Sequence, residues 1–268
     1  MLRDNRQDEG YFQTLTSDLD EALTETQAAL DDVVFTSPTQ RVDVAHRLFQ
    51  LAIMRAVAHY SYGASIDELR PFVLAILPYR EQLTLVANNI PQPHQFYRVD
   101  FEQLGGAGEA CGSANINRYI YTLWWLSLLV ACDAPTEHIS KTLDVIGEQG
   151  KDALFDAIAV KLGDSQRPMA KTLYYPDVYQ CLFDAFSLDK NTQAQKLNQF
   201  ISQWYAQLED ADWHGNHECD CEFEYTDYYI GYWCLEHALV ANLLGITKVQ
   251  LTPHPMLAND LIRNKPER

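Results

Sequence analysis

Basic side chains are scarce in this chain of 268 residues: 20 Lys and Arg stand against 37 Asp and Glu, a formal charge of −17. A field of that sign repels nucleic acid and anionic membranes. It excludes direct DNA or RNA binding as a function and favours a partner with a basic surface. Cysteine is sparse too. The six, at positions 111, 132, 181, 219, 221 and 234, are too few and too irregularly spaced for a disulfide framework, so the chain reads as a reduced, cytoplasmic protein. Long apolar runs are absent. The most apolar stretch, Tyr119 to Cys132, includes Thr122 and Ser127 and falls short of the ~20 residues of a membrane span, so it reads as a buried helix. The opening Met1-Leu2-Arg3-Asp4-Asn5-Arg6 lacks the apolar core of a signal peptide. Strand-like alternation is hard to find, and Gln250-Leu251-Thr252 is too short to build a sheet.

What the chain has in quantity is helical periodicity, with enough apolar residues (47%) for a packed core. Val42, Ala45, Leu48, Phe49, Ala52, Ile53, Ala56, Val57 and Tyr60 form one apolar stripe. Ser37-Pro38-Thr39-Gln40 reads as the capping box that starts this helix, and Gly63 as its left-handed stop. Ser65-Ile66-Asp67-Glu68 reads as a second capping box, opening a helix that runs towards Leu77-Pro78. Further helices are expected near 14–34, 79–89, 115–132, 136–147, 151–162, 175–187, 192–207 and 227–244. The expected fold is all-α, in two closely packed helical domains, 1–149 and 150–268. Their boundary falls near Gly147–Lys151. Acid is shared along the chain: residues 1–150 hold 20 acids and 10 bases, and 151–268 hold 17 and 10.

Residues 90–112, 163–177 and 208–226 read as loops. Gly105-Gly106-Ala107-Gly108 is no phosphate loop, because no strand precedes it and no Lys-Ser/Thr follows. Between Glu209 and Asp227 the carboxylates accumulate with no Lys or Arg among them. If the segment is extended, the alternation Glu218, Asp220, Glu222, Glu224 sets four carboxylates on one side, with Asp227 beyond. Such a row can mimic a nucleic-acid backbone and be steered onto a basic cleft; a solvated acidic loop is the ordinary alternative. Trp213, Phe223 and Tyr225 are the candidate apolar anchors beside it. His214, His217, Cys219 and Cys221 are zinc-type ligands, but they crowd together where structural sites separate two ligand pairs, so no metal and no cofactor is expected. Glu236, on an apolar helix with His237, reads as a buried carboxylate tied to tyrosine hydroxyls or a helix N-terminus. Ser61, Ser113 and Cys111 have no nucleophile context, and no catalytic residue is assigned.

Two segments resemble signatures of a known family. His59-Tyr60-Ser61-Tyr62-Gly63-Ala64-Ser65-Ile66-Asp67-Glu68-Leu69 resembles the YSxGxSIxEL signature in the N-terminal domain of the PoNi-type immunity proteins. Tyr229-Ile230-Gly231-Tyr232-Trp233-Cys234-Leu235-Glu236 resembles the YxGYWxxE signature of their C-terminal domain. Leu126-Ser127-Leu128-Leu129, Leu173 to Tyr179 and Trp204-Tyr205 fit in the same order. The resemblance implies an all-helical, two-domain cytoplasmic protein that binds and neutralises a cognate DNase toxin of a polymorphic or type VI-secreted arsenal. The signature residues Tyr60, Ser61, Gly63, Ser65, Glu68, Tyr229, Gly231, Tyr232, Trp233 and Glu236 are then expected to define the fold rather than the toxin contact. The acidic Cys/His-rich insert before Asp227 is no part of these signatures.

An acidic chain without a catalytic motif suits stoichiometric binding to a basic, DNA-binding partner. The competing readings are an all-helical metal-dependent hydrolase, using His214, His217, Cys219 and Cys221 with Glu236 as base, and an oligomerisation module.

Overall fold

The structure, a computed structural model, describes residues 2–32, 37–105, 116–218 and 228–264, and the backbone only at Tyr97. The fold is all-α: among the described residues no strand occurs. The first helix, α1 (Glu9–Asp31), starts earlier than its apolar pattern, because the Asp8 side chain accepts the Tyr11 N–H at 2.8 Å and caps it. Helix α2 (Pro38–Tyr62) buries the whole predicted stripe and stops at Gly63, whose φ of 109° no β-carbon tolerates well. Its start differs from expectation. The Ser37 hydroxyl makes no cap bond and meets the Thr39 hydroxyl at 2.9 Å instead, leaving Pro38 at the first helical position to set the start.

The second capping box is present in full. Ser65 N–H donates to Glu68 Oε2 at 2.8 Å, and Glu68 N–H to Ser65 Oγ at 3.3 Å. The helix it opens, α3 (Ile66–Leu74), stops at Ala75, and α4 (Ile76–Ala87) begins at once. Pro78 lies in the first turn of α4, where its missing N–H leaves no bond unmade. The expected loop at 90–112 holds a 3-10 turn, Gln92–Tyr97, and the short α5 (Arg98–Glu102). Glu102 anchors it by accepting from Arg98 Nε at 2.5 Å and the Thr84 hydroxyl at 2.7 Å. Residues 106–115, with Cys111, Ser113 and most of the glycine run, lie outside the described residues.

The remaining helices are α6 (Ile116–Ala131), α7 (Thr136–Ile146), α8 (Ala153–Lys161), α9 (Pro176–Ala185), α10 (Lys190–Gln207) and α11 (Leu235–Leu244). The helix expected over 227–244 is shorter than its apolar content suggested. Residues 228–234 are irregular, Gly231 has φ 103°, and helix begins only at Leu235.

Two compact units emerge, and they interleave in sequence. The first comprises Met1–Tyr121 with Gly215–Gly231; the second comprises Thr122–His214 with Tyr232–Arg268. Charge divides unevenly between them: 21 acids against 9 bases in the first, net −12, and 16 against 11 in the second, net −5. Every base of the first unit is an arginine.

In the second unit, buried charge fixes irregular backbone. Asp152 caps α8, accepting from Phe155 N–H and Tyr174 N–H, both at 2.7 Å. Asp156, fully buried, accepts from Arg167 Nε at 2.5 Å, Ala170 N–H at 2.9 Å and Gly150 N–H at 3.2 Å. Arg167 also donates to the Gly147 carbonyl at 2.7 Å and lies over the Phe155 ring. Two carboxylates of one short helix thus hold the loops on either side of it.

Candidate interaction site

In the first unit the two signature segments meet. Ser61, on the last turn of α2, is fully buried, and its hydroxyl donates to the Ile230 carbonyl at 2.5 Å across 169 residues of sequence. The Ser61 carbonyl accepts Arg3 N–H at 3.0 Å and Asp4 N–H at 3.1 Å. Asp4 is buried and accepts from the Tyr229 hydroxyl at 2.7 Å and Arg6 N–H at 2.8 Å. Burial, with the Asp4 carboxylate second, pushes the Tyr229 hydroxyl well above its ordinary range, so it stays a donor. The Tyr11 hydroxyl bonds both the N–H and the carbonyl of Tyr229 at 3.0 Å, and the Arg3 guanidinium lies 4.1 Å over the Tyr60 ring. The N-terminal segment is therefore part of the joint. No residue before Tyr11 carried a periodic or motif signal that could have shown this.

This joint sets the base of the acidic segment. Glu218 ends a 3-10 turn, Asn216–Glu218, and is exposed. On the returning side Asn216 Nδ2 reaches the Tyr228 carbonyl at 3.4 Å, and the His217 ring lies 6.1 Å from that of Tyr229. Both ends are thus held on the first unit, close to one another. Asp220, Glu222, Phe223, Glu224, Tyr225 and Asp227 lie outside the described residues.

Trp213 belongs to the second unit and to its core. It is 2% exposed, stacked on Trp204 at 4.9 Å and inclined to Trp124 at 5.7 Å. A side chain so enclosed has no face for a partner, and its indole stabilises the interior instead. His214 stacks on Tyr205 at 4.0 Å, while His217 faces Glu218 at 3.4 Å. The two imidazoles are thus engaged in different units. Cys219 and Cys221 lie outside the described residues, and among the described residues no group of three His, Cys, Asp or Glu side chains is placed to hold a metal ion.

Beside this tryptophan cluster lies Glu236, in the first turn of α11 and fully buried. It accepts from the Tyr179 hydroxyl at 3.2 Å and Trp204 Nε1 at 3.3 Å. Burial pushes its carboxyl up to about 7, against the lowering effect of its own backbone N–H and of Trp204, Trp124 and Tyr179. The next residue, His237, is equally buried, and neither ring nitrogen has a hydrogen-bond partner among the described residues. Burial, then the charge of His254, lowers it to about 3, so it is neutral. Tyr232 and Trp233 are buried as well, and Gly231 supplies the turn that delivers them.

One stretch of the chain, which takes in parts of both units, bears a family likeness. Residues 150–261 match the family model described as PoNe immunity proteins (PoNi), C-terminal. That stretch is similar to the C-terminal part of the PoNi family. The matched stretch contains the Asp152/Asp156/Arg167 network, the Tyr179–Trp204–Glu236 cluster and the Tyr229-to-Glu236 segment. The PoNi signature positions Tyr232, Trp233 and Glu236 are core residues in this structure. The chain is also similar in fold to the crystal structure of protein PA2201 from Pseudomonas aeruginosa, with a TM-score of 0.65 and 16% identity, covering 97% of this chain and 89% of that one. At that identity the likeness is one of fold. No curated protein matches the chain.

Proposed function

We propose that this protein is an immunity protein, which binds a cognate PoNe-type DNase toxin stoichiometrically and neutralises it without chemistry of its own. The observation that carries the reading is the PoNi C-terminal match over residues 150–261. Charge supports it: a net −12 on the first unit is a field that a basic, DNA-binding protein would follow inward. We place the toxin contact on the acidic segment, with Glu218, Asp220, Glu222, Glu224 and Asp227 as its charges and Phe223 and Tyr225 as anchors. A cytoplasmic location, a type VI-secreted toxin and a module boundary at 149/150, where the family match begins, complete the proposal.

The test is a purified pair: this chain and a PoNe-type nuclease, sought first in the neighbouring open reading frame. A one-to-one complex that abolishes DNA cleavage supports the proposal; cleavage unchanged at stoichiometric excess removes it. Replacing all five carboxylates by Asn or Gln should slow association at least about tenfold at low salt and flatten its salt dependence. An unchanged on-rate places the contact elsewhere while leaving the immunity function standing.

A further inference from the structure

A groove confined to the second unit is lined by the end of α6, the first turns of α7, the end of α8, the last turn of α11 and Arg263. It consists of two adjoining hollows of about 310 and 220 Å³ that share Thr136 and Leu162. The larger reaches the size at which small-molecule sites begin, roughly 300 Å³. Its wall sets half-buried Ile139, Leu162 and Leu243 beside two cations, Lys161 and Arg263.

Arg263 is built into place. Its backbone N–H donates to Asn242 Oδ1 at 2.9 Å, and Asn242, only 8% exposed, donates in turn to the Leu261 carbonyl at 2.8 Å. Its guanidinium holds the Val130 carbonyl at 2.9 Å and the Asp133 carboxylate. Lys161 has no ion-pair partner among the described residues, in a chain with far more acids than bases. Helix α7, which no side chain caps, begins at Thr136 on the same wall, bringing the positive end of its dipole. The smaller hollow is acidic: Asp144 and Asp164 line it, the latter bonded to Arg167 at 3.3 Å. In the larger hollow Lys161 and Arg263 outnumber Asp133, which pairs with Arg263, so the positive potential lies at that end.

We propose that this groove binds a small organic anion, its carboxylate or phosphate head held by Lys161 and Arg263 and its apolar body lying against Ile139, Leu162 and Leu243. It would take a ligand with a single anionic group, because the acidic hollow rejects a second.

Titration of the full chain with phenyl phosphate, benzoate, inorganic phosphate and benzyl alcohol, followed by amide NMR shifts, tests it. Saturable shifts at Thr136, Leu162 and Leu243 are expected with phenyl phosphate or benzoate, and the tighter of the two identifies the head group. Inorganic phosphate and the neutral alcohol should bind at least about tenfold more weakly, for want of the body or the charge. Lys161 is exposed, so Lys161→Gln should leave the unliganded melting temperature unchanged and weaken binding at least about tenfold, as loss of a charged hydrogen bond does. No saturable shift with either anion would overturn the proposal. So would equal binding of inorganic phosphate or the alcohol, or undiminished binding by Lys161→Gln.

Discussion

Glu236 is a carboxyl group held where ionisation is expensive, and its consequence is a measurable proton linkage. In the unfolded chain it loses its proton near its ordinary 4.5; in the fold it keeps it to about 7. Between those values the folded state binds more protons, so this group's stabilisation is complete below about 4.5 and is lost as pH rises through 7. The buried imidazoles of His46 and His237, both lowered to about 3, work in the opposite direction below their ordinary 6.5. The total pH profile therefore mixes opposing contributions. The difference between the wild type and Glu236→Gln isolates one. Relative to the wild type, the amide variant should gain on the order of 2–4 kcal/mol in stability between pH 5 and pH 8, read by urea denaturation at each pH. A difference constant across that range would show that Glu236 does not titrate in the fold.

At the scale of elements, the joint on Ser61 is the clearest case of a short contact organising distant chain. Ser61→Ala leaves the buried Ile230 carbonyl without its donor and should cost about 1–3 kcal/mol, with faster amide exchange at residues 3–4 and 229–231. Loss of stability without change in exchange at those amides would count against the joint. In the second unit, Arg167→Met strips the partner from a fully buried Asp156 and should cost roughly 3–5 kcal/mol by the same denaturation measurement, far more than an exposed ion pair. The legibility of these features from sequence follows their span. The Ser65–Glu68 box and the Gly63 stop were readable because their partners lie within one helical turn. Ser61 to Ile230 and Asp4 to Tyr229 were not, since nothing local marks which distant carbonyl or hydroxyl a buried serine or aspartate will meet. The over-long helix at 227–244 failed for a related reason. Tyr228 to Cys234 are apolar enough to continue the pattern of α11, yet tertiary hydrogen bonds hold Tyr229 and Ile230 outside a helix. Trp213 looked like an exposed anchor because its sequence neighbours are polar, while Trp204 and Trp124 enclose it from elsewhere in the chain.

At the scale of the whole molecule, the excess of acid works against compactness as well as for partner capture. Self-repulsion concentrated in a unit at net −12 is long-ranged at low salt and screened within ~8 Å at physiological ionic strength. Raising sodium chloride from about 10 to 150 mM should therefore increase the melting temperature by a few degrees, seen by calorimetry; a decrease would mean that internal ion pairs outweigh the repulsion.

The interleaving of the two units also fixes an order of events at the ribosome. The joint on Ser61 needs Tyr229 and Ile230, so it closes only after the intervening stretch of the second unit has been made. At roughly 5–20 residues per second, the stretch between Tyr121 and Gly231 takes about 5–20 seconds to synthesise. During that interval Ser61 and Asp4 stand without their distant partners, while α1 and α2 have each other to pack against. The more acidic unit is started first and finished late, and its negative charge keeps the nascent chain apart from its neighbours while it waits.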